Sequence, residues 1–169
     1  DLSLVDPDNR RPVDFEKRKR FLDEIRSRQQ NAATELIEEL LRTRQDGRIK
    51  LFLIFKILAE RRKRAGLFEK GDYQPLKARG KYNDHVVGFI RSYEDEKAAT
   101  IVPRFLTSLI GANELPLGSE VWQDTEIPWP SALKGNWLNI ITGESVRIKK
   151  FAQVSQILAR FPVSLLIRS

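Results

Sequence analysis

The chain has no cysteine and no methionine, and a single histidine, His85, among its 169 residues. Without cysteine there is no disulfide framework, no thiol nucleophile and no thiolate metal site, and one imidazole excludes polyhistidine ligation. Cysteine usage of this kind sets a cytoplasmic expectation, and no motif calls for a cofactor. Long apolar runs are also missing. The longest, residues 51–55, continues through 57–59 only across Lys56, far too short to span a bilayer. No charged segment followed by an apolar one marks a secretory signal, so neither a membrane nor an export route is expected. The lack of methionine, even at position 1, raises the expectation of a piece cut from a longer polypeptide.

What is present is enough for a folded core. Apolar residues make up 41% of the chain, which fits a globular body of one or two small units. The formal charge of +7 admits an anionic partner such as nucleic acid, but the excess is local. It sits at Arg10 and Arg11, at residues 17–20 and at residues 61–64, without interleaved aromatics or a reader motif, so no nucleic-acid partner is expected. The last cluster ends a helical pattern, where cations suit the helix dipole, and reads as a solvated helix end.

Periodicity divides the chain. Asp14 is placed to N-cap a helix that brings Phe21, Leu22 and Ile25 onto one face. A second helix begins near Asn31, with Leu36, Ile37, Leu40 and Leu41 opposite an acidic face, and ends at a turn of Gln45, Asp46 and Gly47. A third, from about Gly47 to Ala65, is apolar nearly all round, which implies burial against other helices or against a larger body, and it is expected to form the centre of the helical part. From Gly66 onward β-branched and aromatic residues with turn signals replace the helical period, so an all-β unit is expected to start there. Strands are expected near 73–78, 85–93, 98–105, 120–126, 137–141, 145–148 and 161–168, with a helical turn or two within 151–160. The expected class is α+β, a helical segment followed by an antiparallel all-β sandwich.

The opening segment is the densest in polar chemistry. Pro7 and Pro12 fix φ and turn Asp6 and Arg11 away from helical backbone, giving a shaped, extended loop. Arg10 and Arg11 offer bidentate donors and Asp6 and Asp8 offer acceptors, a set suited to the vicinal hydroxyls of a sugar. The residues alone leave a second reading open, a solvated turn whose Asp and Arg side chains pair with each other, and such structural pairs are the commoner case.

The run Leu4-Val-Asp-Pro-Asp-Asn-Arg-Arg-Pro-Val-Asp14 closely resembles a segment of the maltooligosyltrehalose synthases, within the alpha-amylase family (glycoside hydrolase family 13). Similar too are Asp46-Gly-Arg-Ile-Lys-Leu51, Gly71-Asp-Tyr-Gln-Pro-Leu76, residues 137–143 and the closing Phe161-Pro-Val-Ser-Leu-Leu-Ile-Arg168, so the resemblance covers essentially the whole chain. It implies three parts: residues 1–13 as the last active-site loop of a missing (β/α)8 barrel, 14–66 as the helical segment completing that barrel, and 67–169 as a C-terminal β-sandwich. Such barrels react at the C-terminal ends of their strands.

The reaction the resemblance implies is intramolecular transglucosylation on a maltooligosaccharide, converting the reducing-end α-1,4 linkage to α,α-1,1. The catalytic carboxylates would belong to earlier barrel strands, so the chain itself is expected to be inactive. A related loop of the wider family carries an Arg two positions before a Pro that reaches the sugar beside the scissile linkage. Here that is Arg10, and Asp8, Arg11, Asp6 and Asn9 join it as candidate substrate-binding residues, although Arg11 stands where Thr is usual. Lys50 is a separate candidate. A cation in the first helical turn opposes the dipole and needs a partner, either Asp46 or Glu39; the resemblance offers the reducing-end glucose instead.

Two other classes compete. A stand-alone carbohydrate-binding module would stack sugars on Trp122, Trp129 or Trp137, and Trp129 between Pro128 and Pro130 is the one expected to be exposed. A nucleic-acid-binding protein built on the basic helices ranks last.

Overall fold

The computed structural model describes residues 14–31 and 33–168, which separate into two compact units, one up to Ala59 and one from Glu60. In the first unit, α1 (Phe15–Asn31) starts where expected. The Asp14 carboxylate accepts the Lys17 N–H at 2.8 Å, satisfying one of the helix's open donors, and the Asp14 carbonyl accepts the first i→i−4 bond, from Arg18. In α2 (Ala33–Arg42), Leu36, Ile37, Leu40 and Leu41 are all buried, as their spacing predicts. A single 3-10 turn, Arg44–Asp46, then leads to Gly47, whose φ of 85° suits a residue without Cβ.

The third helix is only partly covered by the described residues. Over α3 (Arg48–Lys63), Phe52 is the buried apolar side chain, while Ile54 is 45% and Leu58 55% exposed. An all-round apolar pattern requires cover on every side, and two neighbouring helices can supply only part of it. Among the described residues, no helix is long and apolar enough to cross a membrane.

In the second unit, helix continues beyond Gly66 as α4 (Ala65–Lys70), so the strands start later than the composition shift indicated. Gly66 acts as a packing glycine: a Cβ there would lie 2.8 Å from a Tyr93 ring carbon. Gly71 closes α4 by donating to Leu67 O, in a place so tight that a Cβ would sit 2.2 Å from that same oxygen.

Eight strands follow: β1 (Asp72–Leu76), β2 (Val86–Tyr93), β3 (Glu96–Pro103), β4 (Glu126–Pro128), β5 (Gly135–Asn139), β6 (Ser145–Ile148), β7 (Phe151–Gln153) and β8 (Ser164–Arg168). Six form an antiparallel sheet in the order β1-β2-β3-β8-β5-β6, and β4 pairs with β7 in a second, two-stranded sheet. The fold is thus helices followed by an antiparallel sandwich. Its core joins Val86, Ile90, Ala99, Ile101, Trp137 and Leu166 of the large sheet to Ile127 and Ala152 of the small one. Two short helices, α5 (Gly118–Trp122) and α6 (Val154–Ile157), complete the second layer.

The expected strand at 120–126 is not one. Its first residues are α5, and only Glu126 enters β4, because Trp122 turns inward, fully buried, with its indole N–H on Pro116 O at 2.8 Å. Tertiary anchoring overrides the β propensity of Val121 and Trp122.

Candidate functional site

The most densely connected polar cluster of the first unit grows from the Asp46-Gly-Arg-Ile-Lys-Leu51 motif. Asp46 folds over the start of α3, accepting the Arg48 backbone N–H at 2.9 Å and Arg48 Nε at 2.8 Å. That fixes the guanidinium between helices. Its Nη1 donates to Glu24 of α1 at 2.9 Å, and Nη2 donates to Glu39 of α2 at 2.8 Å and to Thr43 Oγ1 at 3.1 Å. Arg28 joins by bonding Glu39 at 2.7 Å and Glu24 at 3.1 Å.

Two guanidiniums therefore hold three carboxylates, around an Arg48 side chain only 12% exposed. Hydrogen bonds from Arg28 and then Arg48 hold the Glu39 carboxyl below its ordinary range. Burial pushes Asp46 upward, but the Arg48 backbone N–H and guanidinium outweigh it and the net shift is down. Arg48 itself is raised, since Asp46 and Glu39 overcome its desolvation. Glu39 and Asp46 stay ionised at neutral pH, and Nε, Nη1 and Nη2 of Arg48 are each bonded to protein partners, so the cluster clamps three helices rather than binding a ligand.

Lys50, on the same motif, is exposed in the first turn of α3, with its N–H on Gly47 O at 3.2 Å. The two acids offered to it by the sequence, Asp46 and Glu39, both hold Arg48. Asp6, Asp8, Asn9, Arg10 and Arg11 lie outside the described residues. Sequence reasoning overlooked Arg48, although its place directly after an Asp-Gly turn, at the mouth of an otherwise apolar helix, was the available signal.

The tryptophans are all interior, which corrects the reading of Trp129 as exposed. Trp122 and Trp137 are fully buried and Trp129 is 5% exposed. Trp129 and Trp137 meet edge to face at 5.3 Å, and both indole N–H groups donate to Leu133 O, at 3.0 and 3.1 Å. Pro128 ends β4 and Pro130 leads into the Ser131–Leu133 turn, whose Leu133 carbonyl holds the indole. Sugar stacking on any of the three is therefore closed off. Arg64, in the basic run at 61–64, is likewise not a solvated end residue, since it bonds Glu60 and Glu96, while Arg61, Arg62 and Lys63 are exposed.

No protein-family model matches the chain. Two curated proteins, each called "Putative maltooligosyl trehalose synthase", from Mycobacterium tuberculosis strains CDC 1551 / Oshkosh and ATCC 25618 / H37Rv, are 29% identical to it over 168 residues, 99% of this chain. A solved structure of a mutant maltooligosyltrehalose synthase from Arthrobacter ramosus matches all of it, with a TM-score of 0.66 and 28% identity. The chain resembles maltooligosyltrehalose synthase from end to end. It spans only a small part of those synthases, 17% of the curated relatives and 19% of the solved chain. No group of three or more metal-ligating side chains occurs among the described residues.

Proposed function

We propose that the chain is one part of a longer maltooligosyltrehalose synthase of the alpha-amylase family, and that it supplies substrate-binding and scaffold residues to that enzyme. The observation that carries this reading is the match of the entire chain to a minor share of each synthase. The exposed Ile54 and Leu58 of α3 fit it as well, since an apolar helix side of this kind is suited to pack against further polypeptide.

In the whole enzyme, a carboxylate nucleophile supplied by the rest of the polypeptide displaces the terminal glucose of a maltooligosaccharide with help from an acid, leaving a glycosyl-enzyme. The freed glucose reorients and returns through its anomeric hydroxyl, so an α-1,4 linkage becomes α,α-1,1 without net hydrolysis. Keeping that glucose at high effective concentration, and water out, is the task assigned to this chain. Arg10 and Asp8 grip its hydroxyls, with Arg11, Asp6 and Asn9 shaping the loop. Lys50 is a further contact to the reducing-end glucose. The Arg48 clamp fixes the helices that follow residues 1–13 in the sequence.

The reading predicts a division of labour. The 169-residue chain alone neither isomerises nor hydrolyses maltopentaose, while the full-length protein containing it forms the trehalose-terminated isomer. Turnover by the isolated, contaminant-free chain, or a full-length protein that only hydrolyses, would overturn it.

A further inference from the structure

The sandwich carries a polar concavity whose lining lies far along the sequence from residues 1–13. At the β1 edge of the large sheet an open groove of about 340 Å³ is lined by Tyr73, Pro75, Lys77, Asn83, Asp84 and Arg104, among others. Its volume falls within the range of small-ligand sites.

Two of its side chains are held in place beforehand. Tyr73 is 58% exposed, yet its ring rests on Phe89 with centroids 4.9 Å apart, so an amphipathic aromatic face is presented to solvent in a fixed attitude. Arg104 is gripped twice: its Nε donates to Asp84 O at 2.6 Å, and its guanidinium lies over the Phe105 ring, 4.8 Å from the centroid. Phe105 itself has φ of 53° and ψ of 44°, left-handed backbone that a bulky residue rarely adopts, and its side chain remains 61% exposed. The strain is not compensated by core burial. This left-handed residue opens the 3-10 turn Leu106–Ser108, and its ring lies under the Arg104 guanidinium.

We propose that this groove binds an α-1,4-glucan chain, with Tyr73 stacking on the apolar face of a glucose ring while Arg104, Asn83, Asp84 and Lys77 bond its hydroxyls. A fixed aromatic face beside mixed donors and acceptors is the chemistry a neutral polyhydroxyl ligand requires. An extended peptide adding to the β1 edge is the weaker fit, because Pro75 interrupts that edge. The choice of an α-glucan over another sugar rests on the synthase reading. Phe105 is a positioning residue, acting through Arg104.

The test is titration of the 169-residue chain with maltoheptaose, followed by backbone amide NMR, with cellohexaose as the comparison. The expected result is saturable shifts centred on Tyr73, Asp84 and Arg104 with maltoheptaose alone, and about tenfold weaker binding in Tyr73→Ala. Phe105→Gly separates aiming from packing: it should leave stability equal or higher, by relieving the positive φ, and still weaken binding about tenfold. The proposal is overturned by absence of shifts at the groove, by equal binding of cellohexaose, or by Phe105→Gly that loses stability with affinity intact. Isomerase activity of the full-length protein is measured separately. Intact isomerisation without groove binding refutes this site alone, and absent isomerisation refutes the synthase reading.

Discussion

Around Arg48, three carboxylates and a hydroxyl converge on one guanidinium, whereas the sandwich is centred on indoles whose N–H groups end on backbone carbonyls. The first arrangement is strong only while its carboxylates are charged, and a share of its strength is screened because Glu24 and Asp46 keep about a third of their side-chain exposure. The second depends on apolar burial, which neither pH nor moderate salt alters much. One chain thus carries a helical unit whose centre is an ion-pair cluster and a sandwich whose centre is apolar, with its ion pairs at the periphery. Spectroscopy can separate them, because the three tryptophans all lie in the sandwich and report on it alone.

The largest expected loss is in the sandwich. Trp137→Ala empties a fully buried site and should cost about 3–5 kcal/mol, read by urea unfolding through the fluorescence of Trp122 and Trp129. A loss below about 1 kcal/mol would mean the core is not organised around this indole.

Next comes the clamp. Arg48→Met leaves Glu24, Glu39 and Asp46 facing one another and should destabilise the helical unit by roughly 1–3 kcal/mol, less than for a fully buried pair because its partners are partly exposed. Helical circular dichroism should record it while tryptophan fluorescence stays unchanged.

Acid should divide the two units in the same way. Glu39 and Asp46 are held below their ordinary range, so their contribution is complete above the unfolded-state carboxylate values and is lost as the pH falls through the lower folded ones. Helical signal should therefore fail at acid pH before the tryptophan signal does. Coincident acid transitions would contradict the contrast drawn here. Smaller still, Asp14→Ala removes the cap of α1 and should cost about 1 kcal/mol of helical stability. Leu58→Ser, on an exposed side of α3, should change the stability of this chain by less than about 0.5 kcal/mol.

Legibility in the sequence divided differently, between local rules and tertiary cover. Local rules read well: the Asp14 cap, the buried stripe of α2, the turn at Gly47 and the strands near β2, β3 and β6 all follow from residue spacing and turn chemistry. Cover was harder to read. The pattern of α3 states that its sides prefer to be buried but not what is available to bury them, so Ile54 and Leu58 emerged exposed. Trp129 looked exposed between its prolines, because nothing in the sequence announces that Leu133 O accepts its indole N–H. Arg48 was lost among 30 basic residues, since only the fold brings Glu24 and Glu39 to it. Of the candidate binding residues, Lys50 alone falls where the structure speaks, exposed in the first turn of α3.

The central claim is that residues 1–13 bind substrate for a synthase whose remaining machinery lies elsewhere in a longer polypeptide. Its most direct measurement is kcat/KM for isomerisation of maltopentaose by the full-length protein and by its Arg10→Ala variant. The account predicts an active wild type and a fall of about tenfold or more in the variant, each tenfold step being about 1.4 kcal/mol of transition-state stabilisation. Unchanged kcat/KM in Arg10→Ala would contradict it.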